Sequence, residues 1–406
     1  MKEPLLYLCH RIPFPPNKGD KIASYNILKF LSKRYDIYLG CFIDDNFDIQ
    51  FEDDVRAFCV DCKFITISRS YSKLKSLTAL LDGSPITLPF YSRKSMQRWV
   101  DDTVETHQIQ KAFVFSSCMA QYVHHYSSDL HTVMHFVDID SDKWLQYAQK
   151  SQGVMKAIYH REHQTLAQYE KRIANAFSVS CFVTPAETEA FKSMIPSAIR
   201  QKIHPLENGL DSQFFSPDAK HKLAEPYDLA NENYLVFTGA MDYWANADAV
   251  KWFTDHVWPE VTKVIPDAKF YIVGSSPTPE VNALADIDGI TVTGRVEDVR
   301  PYLVHAKAAV APMQIARGVQ NKVLEAMAMA KPILVSSLGI EGIDNYPTSQ
   351  LYVSDDASTS INWAIEKLSK QPSIAIDSRV WIKDTYSWDA KLSPLLNYLG
   401  EVHANQ

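Results

Sequence analysis

Long apolar runs are missing from this sequence of 406 residues. No stretch of about 18 apolar residues occurs, so we expect no membrane-spanning helix. Only about six apolar residues precede His10 and Arg11, too few for the core of a signal peptide and a cleavage site, so we expect no export by that route. The sequence therefore predicts a cytoplasmic protein, and it leaves peripheral attachment to the inner face of the plasma membrane open.

Cysteine is also scarce, with six in the chain. The cysteines show no dense framework, which is typical of a reducing compartment. Cys59 and Cys62 form a single CxxC pair, but no second Cys or His pair follows at the spacing of a zinc site, so we interpret them as packed thiols. A net charge of −7 argues against a dedicated nucleic-acid-binding protein, because such proteins gather positive charge to neutralise phosphates.

The remaining composition is that of a soluble globular protein, with 46% hydrophobic and 22% charged residues. Short apolar runs alternate with longer segments of helical periodicity, which indicates an α/β protein built from βαβ units with parallel sheets. The predicted strands are residues 5–9, 36–42, 63–67, 111–115, 132–137 and 178–183 in the first half, and 234–239, 269–274, 290–294, 308–313 and 332–337 in the second half.

The two halves are separated by a polar, proline-containing segment, residues 208–233, which has neither strand nor helix periodicity and is predicted to be a linker. Neither G-x-G-x-x-G nor G-x-x-x-x-G-K-[ST] occurs, so a dehydrogenase or a P-loop protein loses its main support. Three of the five strands predicted in the second half end on glycine, at Gly239, Gly274 and Gly294. Glycine there lets the backbone approach a ligand closely, and Gly239 is therefore a candidate ligand contact.

Residues 234–343 contain, in this order, YLVFTGAMDYWANADAVKWF, FYIVG, VTGRVEDVRPYL and VAPMQIARGVQNKVLEAMAMAKPILVSSLGIEGI. This series resembles the donor-binding half of retaining GT-B glycosyltransferases of the family 4 (glycosyltransferase group 1) type. Residues 9–37, 136–148 and 207–215 fit the same pattern and resemble the exopolysaccharide-associated branch of sugar transferases.

The resemblance implies the GT-B fold, in which two doubly wound parallel-sheet (Rossmann-like) domains face a central cleft. Residues 1–215 would form the N-terminal, acceptor-side domain, and residues 216–380 the nucleotide-sugar donor-binding domain. Residues 381–406 would form a C-terminal helix that returns to the first domain. The resemblance further implies a retaining, metal-independent hexosyltransferase that uses a UDP- or GDP-linked sugar as co-substrate, needs no separate cofactor, and takes a glycan or polyprenyl-linked acceptor.

The predicted helix NKVLEAMAMA carries the main candidate site residues. Glu325 matches the ribose-binding glutamate of the family, and a carboxylate can accept hydrogen bonds from two vicinal hydroxyls. The start of this helix, with Asn321 in its first turn and Gly318 before it, suits a diphosphate, because free N–H groups and the positive end of the helix dipole attract anions. The alternative is an ordinary solvated helix start, where glycine, asparagine and basic residues are also common.

The sequence departs from the family pattern at two places. Arg317 stands where the family has a second glutamate, and Met241 and Asn246 stand near the positions of its arginine and lysine. We expect Asn246 to contact the donor. We expect Arg317 and Lys322, helped by Arg295, to replace the missing cations and to stabilise the charge that develops on the departing nucleoside diphosphate.

The first half carries two further candidates. Gly19, in the segment PPNKGDK, matches a glycine-bearing loop of the family and is expected to give phosphate or acceptor access to the backbone; the alternative is an ordinary proline-glycine turn. Asp138 follows a predicted strand at the place where many relatives have a histidine, and we expect it to orient the acceptor or to act as a base.

The segment DIDSD also contains D-x-D spacing twice, through Asp138, Asp140 and Asp142. This spacing is typical of metal sites in the other glycosyltransferase fold, GT-A, because carboxylates at i and i+2 can hold a hard cation. Aspartates after a strand are also common as helix caps. We interpret His10 and His135 as structural.

Residues 63–98 carry seven cations and one acid, a local charge of +6 in an acidic protein. The stretch KLKSLTALL within it has leucines at helical spacing and a basic face, as expected of a helix lying on an anionic membrane surface. A core helix with solvated lysines explains the pattern equally well.

Two other functional classes remain open from the sequence. A nucleotide-sugar epimerase of the same two-domain shape would need additional acid and base groups in its site. A non-catalytic protein that binds a sugar nucleotide would need only the donor site.

Overall fold

The structure, a computed structural model, describes residues 2–76, 79, 83–218, 229–316, 319–370 and 374–401. The chain divides into two compact units. Unit 1 comprises Met1–Asn208 and Lys391–Gln406, and unit 2 comprises Gly209–Ala390. The first unit therefore ends before residue 215, and the C-terminal segment that joins it begins at Lys391 rather than at 381. Residues 219–228 of the predicted linker lie outside the described residues.

Unit 1 contains a seven-stranded sheet. Its strands are β1 Glu3–Cys9, β2 Tyr35–Ile43, β3 Asp61–Thr66, β4 Lys111–Phe115, β5 His131–Val137, β6 Val179–Phe182 and β7 Ile203–Pro205. All neighbouring strands are parallel, in the order β3-β2-β1-β4-β5-β6-β7. The winding direction reverses between β1 and β4, and ligands of open α/β sheets bind beside such a reversal, at the carboxyl ends of the strands.

Helices connect the strands of unit 1. The α-helices are α1 Gly19–Ser32, α2 Glu52–Arg56, α3 Arg69–Ser76, α4 Thr87–Tyr91, α5 Lys94–Thr106, α6 Asp140–Lys150, α7 Gly153–Ala176 and α8 Pro185–Ser193. Short 3-10 helices cover Asn46–Phe51, Ser117–Tyr122, His124–Tyr126 and Ser197–Lys202. Residues 77, 78, 80 and 81 of the predicted basic helix lie outside the described residues.

Unit 2 repeats this architecture with a six-stranded parallel sheet. The strands are β8 Tyr234–Thr238, β9 Lys269–Val273, β10 Ile290–Gly294, β11 Ala308–Ala311, β12 Ile333–Val335 and β13 Leu351–Val353. Their order is β10-β9-β8-β11-β12-β13, so the winding reverses between β8 and β11.

The α-helices of unit 2 are α9 Trp244–His256, α10 Trp258–Val264, α11 Pro279–Asn282, α12 Arg300–His305, α13 Asn321–Ala328, α14 Ala357–Ser369 and α15 Ile376–Thr385. A 3-10 helix covers Ala283–Asp286, and helix α16 Trp388–Tyr398 runs from the end of unit 2 into the C-terminal segment of unit 1. No helix among the described residues combines the length and the apolar composition that a membrane crossing requires.

The predicted doubly wound α/β architecture and all eleven predicted strands are confirmed. Two edge strands were not predicted, Ile203–Pro205 and Leu351–Val353, because three residues are too few to establish a period.

The sheet of unit 2 is buried on both faces, which explains the continuous apolar strands. Along β8, Tyr234 and Val236 belong to one hydrophobic cluster, whereas Leu235 and Phe237 belong to another. Successive side chains of a strand point to opposite faces, so helices cover both sides of the sheet.

The C-terminal segment is an integral part of unit 1. Lys391 lies 3.0 Å from the Glu207 carboxylate. The Tyr398 hydroxyl donates to the Pro205 carbonyl at 3.2 Å, and the Tyr398 carbonyl lies 2.7 Å from Nε2 of His131. Leu395 of the same helix is fully buried.

Candidate functional site

Unit 2 has a cavity of about 620 Å³ at the carboxyl ends of its central strands. Its walls come from the ends of β8, β9 and β10 and from the first turns of α13. Five residues predicted from the sequence line it together, namely Gly239, Arg295, Asn321, Lys322 and Glu325. The cavity, called the unit 2 cavity below, is in the size range of pockets that enclose small organic ligands.

Helix α13 presents its polar residues to this cavity because the rest of the helix is packed against the sheet. Val323, Leu324 and Ala326 to Ala328 are buried. Residues 321, 322 and 325 are spaced so that they share the remaining face of a 3.6-residue helix. The predicted helix is thus confirmed, and Lys322 and Glu325 lie on its cavity side.

Burial controls the charges of these two residues. Burial raises the pKa of Glu325 to about 7, and the Lys322 ammonium partly opposes this effect. Burial lowers the pKa of Lys322 to about 8, again opposed by its partner Glu325. Groups with such perturbed pKa values in a cavity are typical of functional sites.

The Lys322 ammonium is held at the cavity wall by weak contacts. It donates to Oε1 of Gln320 at 3.3 Å and lies 5.4 Å from the centroid of the Phe237 ring. Among the residues that the structure describes, burial and the Lys322 charge set the pKa of Glu325, and no hydrogen bond contributes to it. The two charged groups therefore remain available to a ligand that enters the cavity. Arg317 and Gly318, also predicted as site residues, lie outside the described residues.

A close backbone contact forms the floor of the unit 2 cavity. A Cβ atom at Gly274 would lie 1.6 Å from the carbonyl oxygen of Gly239, so only glycine fits there. Asn246 supports the same loop from behind: its Nδ2 donates to the Ala240 carbonyl at 2.8 Å, and its side chain is buried. Asn246 is not part of the cavity wall. Its observed role is to hold the loop at Ala240 in place.

Several cavity residues were not predicted from the sequence. They follow strands β8, β9 and β10 or line the wall beside them, namely Thr238, Ala240, Val273, Gly274, Ser275, Ser276, Val296 and Val299. The glycine that ends the predicted strand 269–274 was the available signal for Gly274, Ser275 and Ser276. The valines gave no signal, because an apolar side chain at a cavity wall looks like any core residue. Met241, near a position where the family has a cation, is fully buried.

Unit 1 has a smaller cavity of about 230 Å³, called the unit 1 cavity below. It lies beside the ends of β1 and β4 and the start of α6, and its polar wall includes His10, Ser116, Asp140 and Lys143. His10, interpreted as structural from the sequence, belongs to this wall. His135, in contrast, is fully buried, and burial lowers its pKa to about 4.

Asp138, the predicted catalytic residue, is not part of this cavity wall. Its carboxylate accepts from Lys143 at 2.8 Å, and the same ammonium lies 3.2 Å from Oδ1 of Asp140. A lysine thus bridges the first two carboxylates of the DIDSD segment. Within the described ranges, no group of three or more His, Cys, Asp or Glu side chains is placed to hold a metal ion.

Two carboxylates, one buried and one half-buried, fix the first turn of α6. Glu170 accepts from the backbone N–H and the hydroxyl of Ser141 at 3.2 and 2.6 Å, and burial raises its pKa to about 8. Glu187 accepts from the Ile139 backbone N–H at 2.9 Å. These bonds satisfy backbone donors at the helix start that have no partner within the helix.

Gly19 begins α1, and a Cβ atom there would meet nothing within 4 Å, so sterics do not demand glycine at this position. The neighbouring Asp20 accepts from Arg11 at 2.8 Å and lies 3.3 Å from Nε2 of His10. Despite burial, these hydrogen bonds and charges hold the pKa of Asp20 well below its usual range. Arg11 also contacts Asp44 at 3.1 Å.

Comparisons with known proteins agree with this architecture. Residues 232–371 match the family model described as Glycosyl transferases group 1. A protein of Klebsiella pneumoniae, described as an uncharacterized 44.6 kDa protein in the cps region, is 22% identical over 396 residues, which make up 92% of this chain and 94% of the relative.

Solved structures extend the likeness to the whole chain. HepE of Anabaena in complex with UDP has a TM-score of 0.62 at 15% identity and covers 99% of this chain and 100% of its own. The HepE complex with UDP-glucose has a TM-score of 0.56 at 14% identity, and the match covers 98% of this chain and 99% of the HepE chain. A glycosyltransferase from Rickettsia africae has a TM-score of 0.59 at 13% identity, and the match covers 100% of both chains. At these identities the likeness shows the fold, which is the GT-B fold predicted from the sequence.

Proposed function

Since residues 232–371 match the group 1 glycosyl transferases and the chain has the GT-B fold, we propose that the protein is a nucleotide-sugar-dependent glycosyltransferase whose donor occupies the unit 2 cavity. The observation that carries this proposal is that Glu325, Lys322 and the closely packed loops at Gly239 and Gly274 line one cavity. Each of the three suits a different part of a sugar nucleotide.

The ribose is the partner proposed for Glu325. Its carboxylate can accept hydrogen bonds from both vicinal hydroxyls, and hydrogen bonds to a charged acceptor are roughly twice as strong as neutral ones. Because burial disfavours the charged carboxylate, hydroxyl donors from a ligand would stabilise its ionised form.

The diphosphate is the partner proposed for Lys322, Arg317 and Arg295. The backbone N–H groups of the first turn of α13, which begins at Asn321, are proposed to bind it as well. When the sugar bond breaks, the departing nucleoside diphosphate gains negative charge. Cations fixed beside it lower the barrier more than they strengthen substrate binding, because the charge is larger in the transition state. The Gly239 loop would approach the donor closely from the other wall.

We propose transfer of a hexose with retention of configuration and without a metal ion, since the cations above can neutralise the diphosphate. The Lys143 bridge supports this proposal, because an ammonium already occupies the space between Asp138 and Asp140. Turnover is expected to survive excess EDTA. Loss of turnover that manganese restores would instead support a metal site at these carboxylates.

The acceptor is proposed to be a glycan or a lipid-linked glycan of a cell-surface polysaccharide, which is consistent with the relative from the cps region. Gly19 and Asp138 remain candidates for acceptor-side contacts. Attachment to an anionic membrane through residues 63–98 is a further part of this proposal, although Lys75 and Arg93 donate to Ser92 and to Ser72 within unit 1. Binding to anionic but not neutral liposomes, weakened by salt, would support it; equal binding to both would contradict it.

Two alternatives have distinct products. An epimerase would release nucleoside diphosphate from the donor without any acceptor. A non-catalytic binding protein would neither hydrolyse nor transfer the sugar.

The direct test is binding of UDP, GDP and ADP and of their sugar derivatives, measured by thermal shift and calorimetry. A ligand present at about 100 times its Kd adds about 2.7 kcal/mol of stability. Glu325→Ala should remove most of this shift, whereas Glu341→Ala, which removes an exposed carboxylate of unit 2 outside the cavity wall, should not. No binding of any of these nucleotides would contradict the proposal.

A further inference from the structure

The unit 1 cavity has a chemical character that the proposed donor site does not explain. Its volume of about 230 Å³ is below the roughly 300 to 1,000 Å³ of pockets that enclose drug-sized ligands. It therefore suits one small ring rather than a nucleotide or a long lipid chain. Aromatic rings form one part of the wall, and polar groups form the other.

The aromatic part consists of Trp144 and Tyr147, which lie three residues apart on α6, and Tyr91. Tyr159 of α7 completes a cluster with the first two, at centroid distances of 5.5 Å from Trp144 and 6.0 Å from Tyr147. Tyr147 is 54% exposed, so this cluster is not a closed core. Trp144 is half-buried, and both rings line the cavity. Flat rings at a cavity wall offer a stacking surface, and the apolar C–H face of a sugar ring is complementary to it.

The polar part of the wall includes an imidazole with an unused nitrogen. Nε2 of His10 lies 3.3 Å from the Asp20 carboxylate, which favours a proton on Nε2 and leaves Nδ1 as an acceptor. Nδ1 is buried and has no hydrogen-bond partner in the part of the chain that the structure describes. Buried polar atoms nearly always have a partner, so an unpaired one beside a cavity indicates a ligand that donates a hydrogen bond.

The charges of the wall argue for a neutral ligand. The Lys143 ammonium is shared by Asp138 and Asp140, at 2.8 and 3.2 Å. These two carboxylates outweigh the one ammonium between them, so the cluster offers no surplus positive charge to a phosphate. The hydroxyl groups of Ser116 and Thr87 in the same wall are uncharged.

Backbone strain marks the same region. Ser116, after β4, has a φ of +78°, and Val137, at the end of β5, has a φ of +76°. A positive φ is a clear outlier for a β-branched residue such as valine, and conformations of this kind concentrate at functional sites.

We propose that the unit 1 cavity binds one neutral sugar ring, which stacks on Trp144 and Tyr147 and donates a hydroxyl hydrogen bond to His10. The inference rests on the proposed glycosyltransferase function and specifies its acceptor: the terminal residue of the acceptor is an uncharged sugar rather than a lipid phosphate. His10 is a positioning residue for this ring, and Asp20 fixes its tautomer.

Saturation-transfer NMR on the full-length protein tests the proposal, with the methyl glycosides of glucose, galactose, mannose and N-acetylglucosamine as probes and inorganic phosphate and glucuronic acid as anionic counterparts. At least one neutral glycoside should bind, and Trp144→Ala should weaken it by tenfold or more. His10→Phe, which keeps a ring beside Phe115 (centroids 6.1 Å apart), should weaken it similarly.

The matched control is Trp244→Ala. Trp244 is 57% exposed, packs beside Tyr243 as Trp144 does beside Tyr147, and belongs to unit 2 outside the wall of either cavity. It should leave glycoside binding unchanged, and both tryptophan variants should keep the wild-type affinity for UDP or GDP. No binding of any neutral glycoside, preferential binding of the anions, or equal losses in the two tryptophan variants would overturn the inference. If the nucleotide binds while the glycosides do not, this inference alone fails; if no nucleotide binds, the proposed function itself fails.

Discussion

Lys322 and Glu325 lie three residues apart on one face of helix α13, and burial drives both toward their uncharged forms while each favours the charged form of the other. The pKa of Lys322 is about 8 and that of Glu325 is about 7. A ligand that offers both negative charge and hydroxyl donors would stabilise the charged forms of both side chains, which burial disfavours. A sugar nucleotide offers this combination.

Donor affinity should depend on pH in a bell-shaped manner. Glu325 must be ionised to accept two hydroxyl bonds, and Lys322 must be protonated to attract the diphosphate. The affinity for a sugar nucleotide should therefore be highest between about pH 7 and 8 and should decrease below this range, toward a limit of about tenfold per pH unit for one essential proton. Calorimetry with a nucleoside diphosphate sugar, whose diphosphate diester does not titrate in this range, measures the profile. Glu325→Gln should remove the acid limb; an unchanged acid limb would contradict the assignment.

The same carboxyl group should destabilise the ligand-free protein. Its pKa is raised from 4.5 to about 7, so the folded state holds more protons than the unfolded state between these values, and stability decreases as pH rises through this window. Glu325→Gln should therefore raise the Tm of the empty protein at pH 8 but change it little at pH 4.5. Differential scanning calorimetry at the two pH values checks the sign. A lower Tm for the variant at pH 8 would show that Glu325 has a structural partner.

Lys322 should act mainly on turnover. Lys322→Met removes the charge, and with it the ammonium that lies 5.4 Å from the centroid of the Phe237 ring, but keeps a long unbranched side chain. Because the diphosphate gains charge in the transition state, kcat should decrease on the order of 10²-fold, with a smaller change in the donor KM. Lys251→Met, at an exposed position of α9, is the control. Equal effects on kcat for the two lysine variants would contradict this role. Arg317→Met is expected to behave as Lys322→Met does.

Gly274→Ala should disrupt the floor of the unit 2 cavity. The new Cβ would lie 1.6 Å from the Gly239 carbonyl oxygen, so the two strand ends must move apart. We expect a loss of about 1 to 3 kcal/mol in stability, as for overpacking elsewhere in proteins, and a loss of nucleotide binding. Gly19→Ala, where a Cβ meets open space, should keep the wild-type Tm. Thermal unfolding and nucleotide titration of both variants measure the contrast, and a wild-type-like Gly274→Ala protein would refute the close contact.

Unit 1 should depend on the C-terminal segment. Ending the chain at Ala390 removes the buried Leu395 and the contacts of Tyr398 with Pro205 and His131. Faster hydrogen exchange in β5 and β7 of unit 1 is expected. Leu395→Ala alone should cost about 2 to 5 kcal/mol, as buried leucines do, whereas Tyr398→Phe loses one half-buried hydrogen bond and should cost about 1 kcal/mol. Unchanged exchange after truncation would show that the segment does not support unit 1.

The strands and the helical face of residues 321–328 could be predicted because burial imposes a period on the sequence. Lys322 and Glu325 are polar residues inside an otherwise apolar helical pattern, so they stood out. The roles of Asn246 and His10 could not be read in this way. Whether a polar side chain supports a loop or lines a cavity depends on its rotamer and on contacts between segments distant in sequence, such as Asp20 with His10.

The unit 1 cavity shows the same limit. The family resemblance pointed to Asp138, but a two-residue offset at the start of α6 places Asp140 rather than Asp138 in the cavity wall. Trp144 and Tyr147 have the spacing of a core stripe, but Tyr147 is exposed and Trp144 is half-buried, and both line the cavity.

The most direct test of the central claim is a double comparison of nucleotide and protein. The nucleoside diphosphate that binds best, UDP or GDP, is titrated into wild-type protein and into Glu325→Ala, beside its 2′,3′-dideoxy analogue. If Glu325 binds the ribose hydroxyls, the wild-type protein should lose about 10- to 100-fold in affinity for the analogue, corresponding to one or two hydrogen bonds to a charged group. Glu325→Ala should bind both nucleotides with the same reduced affinity. An equal loss for the analogue in both proteins would contradict the account.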